Sequence, residues 1–497
     1  MGTRADGGSG PGGGVTWATL SAMTHPLRST LKELTEAIHA KRLSPTELME
    51  ITLDRIDETH DRLNAIVSRR SREELMAEAR LAERRVARGL ARPLEGVPLG
   101  VKDLEDAAGL VTSNGSLLFR DRVAAQDSIQ VERLKGAGAI VVGKTNTPEF
   151  GHTAITKNLL FGATRSPWDP ARTPGGSSGG SAAALAGEVL PLVTASDGGG
   201  SIRIPASFTG AFGLKPSFGR VPNGPSALWS HGMTTVLGPL TKTVEDAAIV
   251  LDQVAGHDSR DPSSLPRPAL SYLSALEEPL PPGLRVGFSL DLGRAVVQSD
   301  VAAIVEDAAR TFERIGCTLV AVTGGPPDLG ADWSMLVAWE TAARLGSLVE
   351  ERATDLSRSL LQELRSAKAI TPAWWGEMAR RRSEMVAWSA QRFKECDLLV
   401  TPTVPYDPPP AKGPFPSETE GRTQPVASVA SFTIPFNMSW YPAASVRAGM
   451  SRSGLPVGMQ IIGPLQREDM VLRAARAFER ERPWHPYWPM RVEATAG

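Results

Sequence analysis

Leu48, Ile51, Thr52 and Ile56 fall on one face at helical spacing, directly behind Ser44-Pro45-Thr46-Glu47. That tetrapeptide offers an N-cap serine, a proline at the first helical position and a capping-box glutamate, so a helix is predicted to start there. Helical patterning itself begins near Leu31. Further along, the period shortens. Leu99-Gly100-Val101 follows a Gly-Val-Pro turn and reads as a short core strand with Lys102 at its end. Val131–Leu134 and Gly136–Gly143 read as helix, turn and strand, and Lys144–Phe150 as a crevice loop. Ser181–Gly187 is a good helix former, and Glu188–Thr194 reads as the start of a buried strand. Thr241–Val254 is an amphipathic helix, and Leu284–Phe288 and Cys317–Val322 are strands around the helix Val301–Ile315. Residues 331–395 are helical, Leu398–Val400 returns to the sheet, and Glu468–Arg480 is a final helix. Strands alternating with helices in this way predict an α/β protein.

Punctuation between these elements sets the organisation. No internal repeat and no clear linker breaks the pattern, so one large domain over 26–490 is expected. Residues 1–25 open on a glycine-rich stretch without an apolar core, which is expected to be a disordered extension rather than a secretory signal. Tyr406–Gln424 holds five prolines, too many for a helix or a central strand, and reads equally as a lid or as a flexible surface loop. The tryptophans at 333, 339, 374, 375 and 388 are either core anchors or the lining of an apolar funnel.

Composition narrows the function classes. The chain of 497 residues is 41% hydrophobic and 22% charged, as a globular protein with a real core is. Its formal net charge of -1 gives no reason to expect nucleic acid or a membrane surface as partner. No apolar run approaches the roughly 20 residues of a membrane span. Two cysteines, Cys317 and Cys396, make neither a disulfide framework nor a metal cluster; buried inert thiols in a cytoplasmic protein are expected. His152 lacks the spacing partners of a metal ligand, and neither metal nor cofactor is expected.

The candidate chemistry sits in two glycine-rich loops, Thr173-Pro-Gly-Gly-Ser-Ser-Gly-Gly-Ser181 and Ser196-Asp-Gly-Gly-Gly-Ser-Ile-Arg-Ile-Pro205. Glycine is costly in ordered structure unless the backbone must bend or approach another group closely. The second loop follows a strand end, where α/β proteins place their crevices. These loops resemble the signature of the amidase signature family of hydrolases. Gly96–Asp103, Val142–Glu149, Gly213–Pro216 and Gly454–Gln460 extend the likeness over nearly the whole chain.

The resemblance implies a large, mixed, mostly parallel twisted sheet covered by helices on both faces, and closing core strands within Phe436–Gly463. It implies Ser201 as nucleophile, Ser177 as bridging serine after a cis peptide bond, and Lys102 as base. Backbone N–H groups of Gly198, Gly199, Gly200 and Ser201 would form the oxyanion hole, with Ser178, Asp197 and Arg203 in support. The expected substrate is a small amide with an apolar acyl or aryl group, carbamates and esters being related, and a homodimer is a common assembly in the family. Trp229, Trp440 and Tyr441 add to the apolar character expected of the pocket. Two departures stand out: Ser196 where threonine is common, and Gly198 where a larger residue is common.

Two rivals compete. Gly175–Gly179 also fits the G-x-S-x-G nucleophile elbow, with Asp469 and His485 as partners, but an elbow must follow a strand and a proline-rich loop precedes it here. The amidotransferase A-type subunit, which hydrolyses glutamine in a tRNA-dependent complex, shares the family. Those subunits usually read Ser-Ile-Arg-Gln-Pro, where this chain has Ser201-Ile-Arg-Ile-Pro205.

Overall fold

The computed structural model describes residues 25–225 and 233–484. Ser44 caps the helix Pro45–Leu63 by accepting from the Glu47 N–H, and Glu47 returns the bond to the Ser44 N–H. The same reciprocal box starts Leu31–His39 from Thr30 and Arg72–Ala87 from Ser71. These helices stand beside a four-stranded sheet ordered Ile66–Arg69, Ile140–Thr145, Pro98–Lys102, Leu192–Val193. A seven-stranded sheet runs in the order Leu240–Thr241, Phe212–Lys215, Ala443–Met450, Pro456–Ile462, Leu398–Pro402, Arg285–Phe288, Thr318–Ala321. The Leu192–Val193 edge of the smaller sheet comes within 8 Å of Leu240–Thr241.

The expected mixed sheet is present, with one correction to its parallel share. Parallel pairing joins Pro98–Lys102 to its two neighbours and Arg285–Phe288 to its two neighbours. The run from Leu240 through Leu398 is antiparallel. The reason is connectivity. Ala443–Met450 and Pro456–Ile462 are joined by a short turn, and only an antiparallel pair can be closed that way.

Alternation along Phe212–Lys215 shows why both faces are covered. Phe212 and Leu214 enter one apolar core with Val244, Ala247, Val471 and Ala475 from the helices Val244–Val254 and Glu468–Glu481. Gly213 points the other way, where a Cβ would stand 2.7 Å from Ala206 and 2.9 Å from Ile202. The short buried helix Arg203–Thr209 therefore lies flat on the second face. Both cysteines are free and buried, and burial pushes both thiols up.

Residues 331–395 form the helices Gly330–Leu345, Leu348–Glu351, Arg358–Ser366 and Pro372–Glu395. Trp375 packs edge-on against Trp339 and Trp374, with ring centres 5.1 and 5.9 Å apart. Trp388 packs on the main core, and Trp440 stacks on Phe218. The crevice loop begins later than expected, because Lys144 and Thr145 still belong to the strand. Tyr406–Gln424 is tied down: Thr173 N–H donates to Pro409 O at 3.0 Å and Ala411 N–H to Ala171 O at 2.8 Å. Trp229, His485 and all of the N-terminal extension except His25 lie outside the described residues. Among the described residues, no helix is long and apolar enough to cross a membrane.

Candidate active site

Every residue of the strand Pro98–Lys102 is buried, and its last side chain is a lysine only 1% exposed. Lysine is almost never so deeply buried without partners. Lys102 Nζ lies 2.8 Å from Ser177 Oγ, 2.7 Å from Ser178 Oγ, 2.9 Å from Ser196 Oγ and 3.3 Å from Ser196 O. None of these partners is a carboxylate. Burial pulls the lysine down to about 7, against the opposing charges of Asp197 and Glu105. Its backbone is fixed as well, the Lys102 N–H donating to Thr194 Oγ1 at 2.9 Å.

Ser177 and Ser178 end the first glycine loop, with a cis peptide bond at Gly176–Ser177. Among the described residues no strand leads into this loop; an isolated bridge at Arg172–Pro410 precedes it. That removes the elbow geometry. Thr147 Oγ1 donates to Ser177 O at 3.0 Å and Thr156 Oγ1 to Gly175 O at 2.8 Å. The Ser178 hydroxyl donates to Ser196 O at 3.2 Å, and the Ser178 N–H donates to Ser201 O at 3.3 Å. Ser201 itself is half-buried in the turn before Arg203–Thr209. It meets the lysine cluster through this carbonyl; its hydroxyl is not among the partners of Lys102.

Asp197 shapes the second loop from within. Its carboxylate accepts from the Gly200 N–H at 2.7 Å, the Ile202 N–H at 3.1 Å, Arg203 Nη2 at 2.9 Å and Asn437 Nδ2 at 2.9 Å. Burial alone would push this carboxyl up; the Arg203 charge and the bonds from Arg203 and Asn437 outweigh it and hold the group far below the usual carboxylate range. Arg203, fully buried, also donates to Gln460 Oε1 at 2.6 Å and Thr433 O at 3.1 Å. One expectation needs correcting here. The Gly200 N–H is spent on Asp197, so of the four expected oxyanion donors those of Gly198, Gly199 and Ser201 remain. Gly200 is required for shape: its φ is +135°, and a Cβ would stand 2.4 Å from Thr433 Oγ1.

Removing one side of a buried ion pair leaves the other charge unsatisfied, which typically costs about 3–5 kcal/mol. Asp197→Ala is therefore expected to lose stability on that scale. Urea unfolding of the variant and the wild type measures it, and an unchanged midpoint would show that the pair is not what holds the loop.

Sequence reasoning missed three contributors. Ser196 was read only as a substitution for threonine, yet its hydroxyl and carbonyl both face Lys102. Gln460 closes a quoted motif without an assigned role. Asn437 reaches Asp197 from 240 residues away, without a local signature. Of the tryptophans expected as core anchors or funnel lining, Trp333 lies on Gly199, where a Cβ would stand 2.6 Å from its ring, and its Nε1–H donates to Thr234 Oγ1 at 3.2 Å.

The Amidase family model matches residues 47–472. The chain belongs to the amidase signature family and is an amidase, hydrolysing C–N bonds. It is similar to an acylamidase of Rhodococcus erythropolis, 35% identical over 463 residues that cover 91% of this chain and 95% of that protein. It is also 33% identical over 487 residues to the A-type subunit of glutamyl-tRNA(Gln) amidotransferase from Geobacter sp. (strain M21), covering 92% of this chain and 98% of that one. Among solved structures it resembles a bacterial aryl acylamidase of the amidase signature enzymes, with a TM-score of 0.89, 32% identity, and coverage of 95% of this chain and 100% of that one.

Proposed function

We propose that this amidase works alone on amides with apolar or aryl groups, by acyl transfer to Ser201 through a proton path of Lys102 and Ser177. The observation that carries this reading is the cage of hydroxyls around a buried lysine whose charged form burial disfavours. A neutral amine has two N–H donors and one lone pair. The Ser178 hydroxyl already donates to Ser196 O, so towards Lys102 it can only accept. With one N–H turned to Ser178 Oγ and the other to Ser196, whose Oγ lies at 2.9 Å and whose carbonyl at 3.3 Å, the lone pair is left for the Ser177 proton. Ser177 then takes the proton of Ser201 as Ser201 Oγ attacks the acyl carbon.

The oxyanion that forms is met by the N–H groups of Gly198, Gly199 and Ser201, each such donor being worth ~2.7–4 kcal/mol in comparable sites. The proton returns by the same path to the departing nitrogen. Water enters and releases the acid by the reverse sequence. Carbamates and esters present the same acyl carbon and are expected side substrates.

Trp333 against Gly199 favours an apolar acyl or aryl group at the reacting carbon over the polar side chain of glutamine. The test is a matched panel of a p-nitroanilide, an aryl carbamate, an aryl ester and glutamine. The anilide is expected to turn over, with glutamine slower by at least about 100-fold, the scale on which pockets reject a poorly fitting group. Glutamine hydrolysis that appears only with a partner subunit would favour the amidotransferase reading instead.

A further inference from the structure

A groove of about 920 Å³, within the size range of small-molecule sites, opens at the end of the smaller sheet away from the lysine cluster. Ala139, Ile140 and Val141 line it. Ile140 pairs with Pro98, whereas Lys102 pairs with Thr145 at the far end of the same two strands. None of the lining residues belongs to the active site. Seven lining side chains are cationic and four are carboxylates, and every carboxylate is already engaged. Glu78 holds Arg70, Glu95 holds Arg92 and Asp127 holds Lys135, each at 2.6 Å. Glu74 accepts from the Ser71 N–H at 3.2 Å in its capping box. Arg69 is taken by Asp57 from outside the groove.

Arg84, Arg85 and Arg88 are left over. All three are exposed, and among the described residues none makes an ion pair or a side-chain hydrogen bond. They stand at the end of the helix Arg72–Ala87, three and four residues apart, where like charges share a face and repel. A helix C-terminus favours a cation, but each further arginine there also repels the last. The fold thus gathers charge that its own carboxylates do not offset. We propose that this groove is a second ligand site, for a small molecule carrying two or more phosphate groups. Guanidinium forks match phosphate oxygens two at a time, which a lysine ammonium cannot do. Three unpaired charges call for several negative charges on one ligand; a monocarboxylate released by amide hydrolysis would leave two unmatched. Arg70 Nη1 donates to Val141 O at 3.2 Å and Arg92 Nη1 to Lys135 O at 3.3 Å, so the opposite wall is already fixed to backbone. Leu81 and Leu90, 53% and 61% exposed, also line the groove and offer a surface to an organic body attached to the phosphates.

Calorimetry with inorganic triphosphate, ATP and acetate on the full chain tests this. One triphosphate is expected to bind per chain at low salt and to weaken as salt rises, because these cations are exposed. Acetate is expected not to bind. Arg84→Ser, Arg85→Ser and Arg88→Ser together are expected to lower triphosphate affinity about tenfold or more, with anilide turnover unchanged. Triphosphate should also raise the thermal midpoint of the wild type and not of this variant, a readout independent of turnover. ATP binding tighter than triphosphate would place an organic body on the leucines; equal affinity would assign the site to phosphate chains alone. The control combines Arg42→Ser, Arg310→Ser and Arg358→Ser, which are exposed arginines outside the groove. Absence of triphosphate binding, affinity unchanged in the groove variant, or an equal loss in the control would overturn the site.

Discussion

Lys102→Ala is expected to lower kcat/KM for an anilide by about 10³-fold or more, in the middle to upper part of what general acid–base catalysis supplies, because the proposed path makes base and proton donor one group. The wild type should also show an acid limb set by this residue. Lys102 is held at about 7 by burial. Its neutral form is the one that accepts a proton, so activity should be low at pH 5, rise through about pH 7 and level off above. The variant's residual rate should lack that limb. Other lysines are equally buried and offer a comparison: Lys144 Nζ donates to Thr112 Oγ1 at 3.0 Å, and Lys215 Nζ to Pro216 O at 2.9 Å. Those bonds fix loops. Lys102 is the lysine whose amine touches Ser177. A pH–rate profile with matched thermal unfolding checks the claim, and an unchanged acid limb in Lys102→Ala would refute it.

Ser201→Ala is expected to reduce anilide hydrolysis by about 10⁴-fold or more while leaving the fold intact, since Ser201 is the proposed nucleophile, and losing a nucleophile that acts as one unit with its base removes nearly all of their joint effect. The side chain is half-buried in a turn, so its removal opens no core cavity. The loop is fixed instead by Asp197, whose bonds to the Gly200 and Ile202 N–H groups do not involve the Ser201 hydroxyl. Binding should survive. A competitive inhibitor titrated against the variant is expected to show affinity within about threefold of the wild type, the signature of an interaction made in the transition state alone. Wild-type turnover in Ser201→Ala would move the nucleophile to another residue.

Local chemistry was legible in the sequence where neighbours in the chain decide it. Ser44, Pro45 and Glu47 specify a helix start within four residues, and the cap forms as read. The pair of serine-bearing glycine loops marked the site because glycine at 200 is the residue that its backbone angle and the Thr433 contact allow. Partnerships across the chain were not legible. Asn437, in the short helix Ile434–Met438, and Gln460, on the strand Pro456–Ile462, hold Arg203 from more than 200 residues away, and no local pattern announces them. The antiparallel middle of the sheet was missed for a related reason: a buried strand reads as the same apolar run in either direction. The use of the Gly200 N–H by Asp197 was missed because a motif names residue types, while which donor is already occupied depends on where a carboxylate points.

The central claim is that the acyl group passes through Ser201, and trapping it is the most direct measurement. A slowly hydrolysed aryl carbamate would be mixed with wild-type enzyme, and the protein mapped by proteolysis and mass spectrometry. One carbamoyl group on the peptide containing Ser201 is expected, with none in Lys102→Ala enzyme over the same time. The label on Ser177 instead, or full turnover with no labelled enzyme at any time point, would contradict the account.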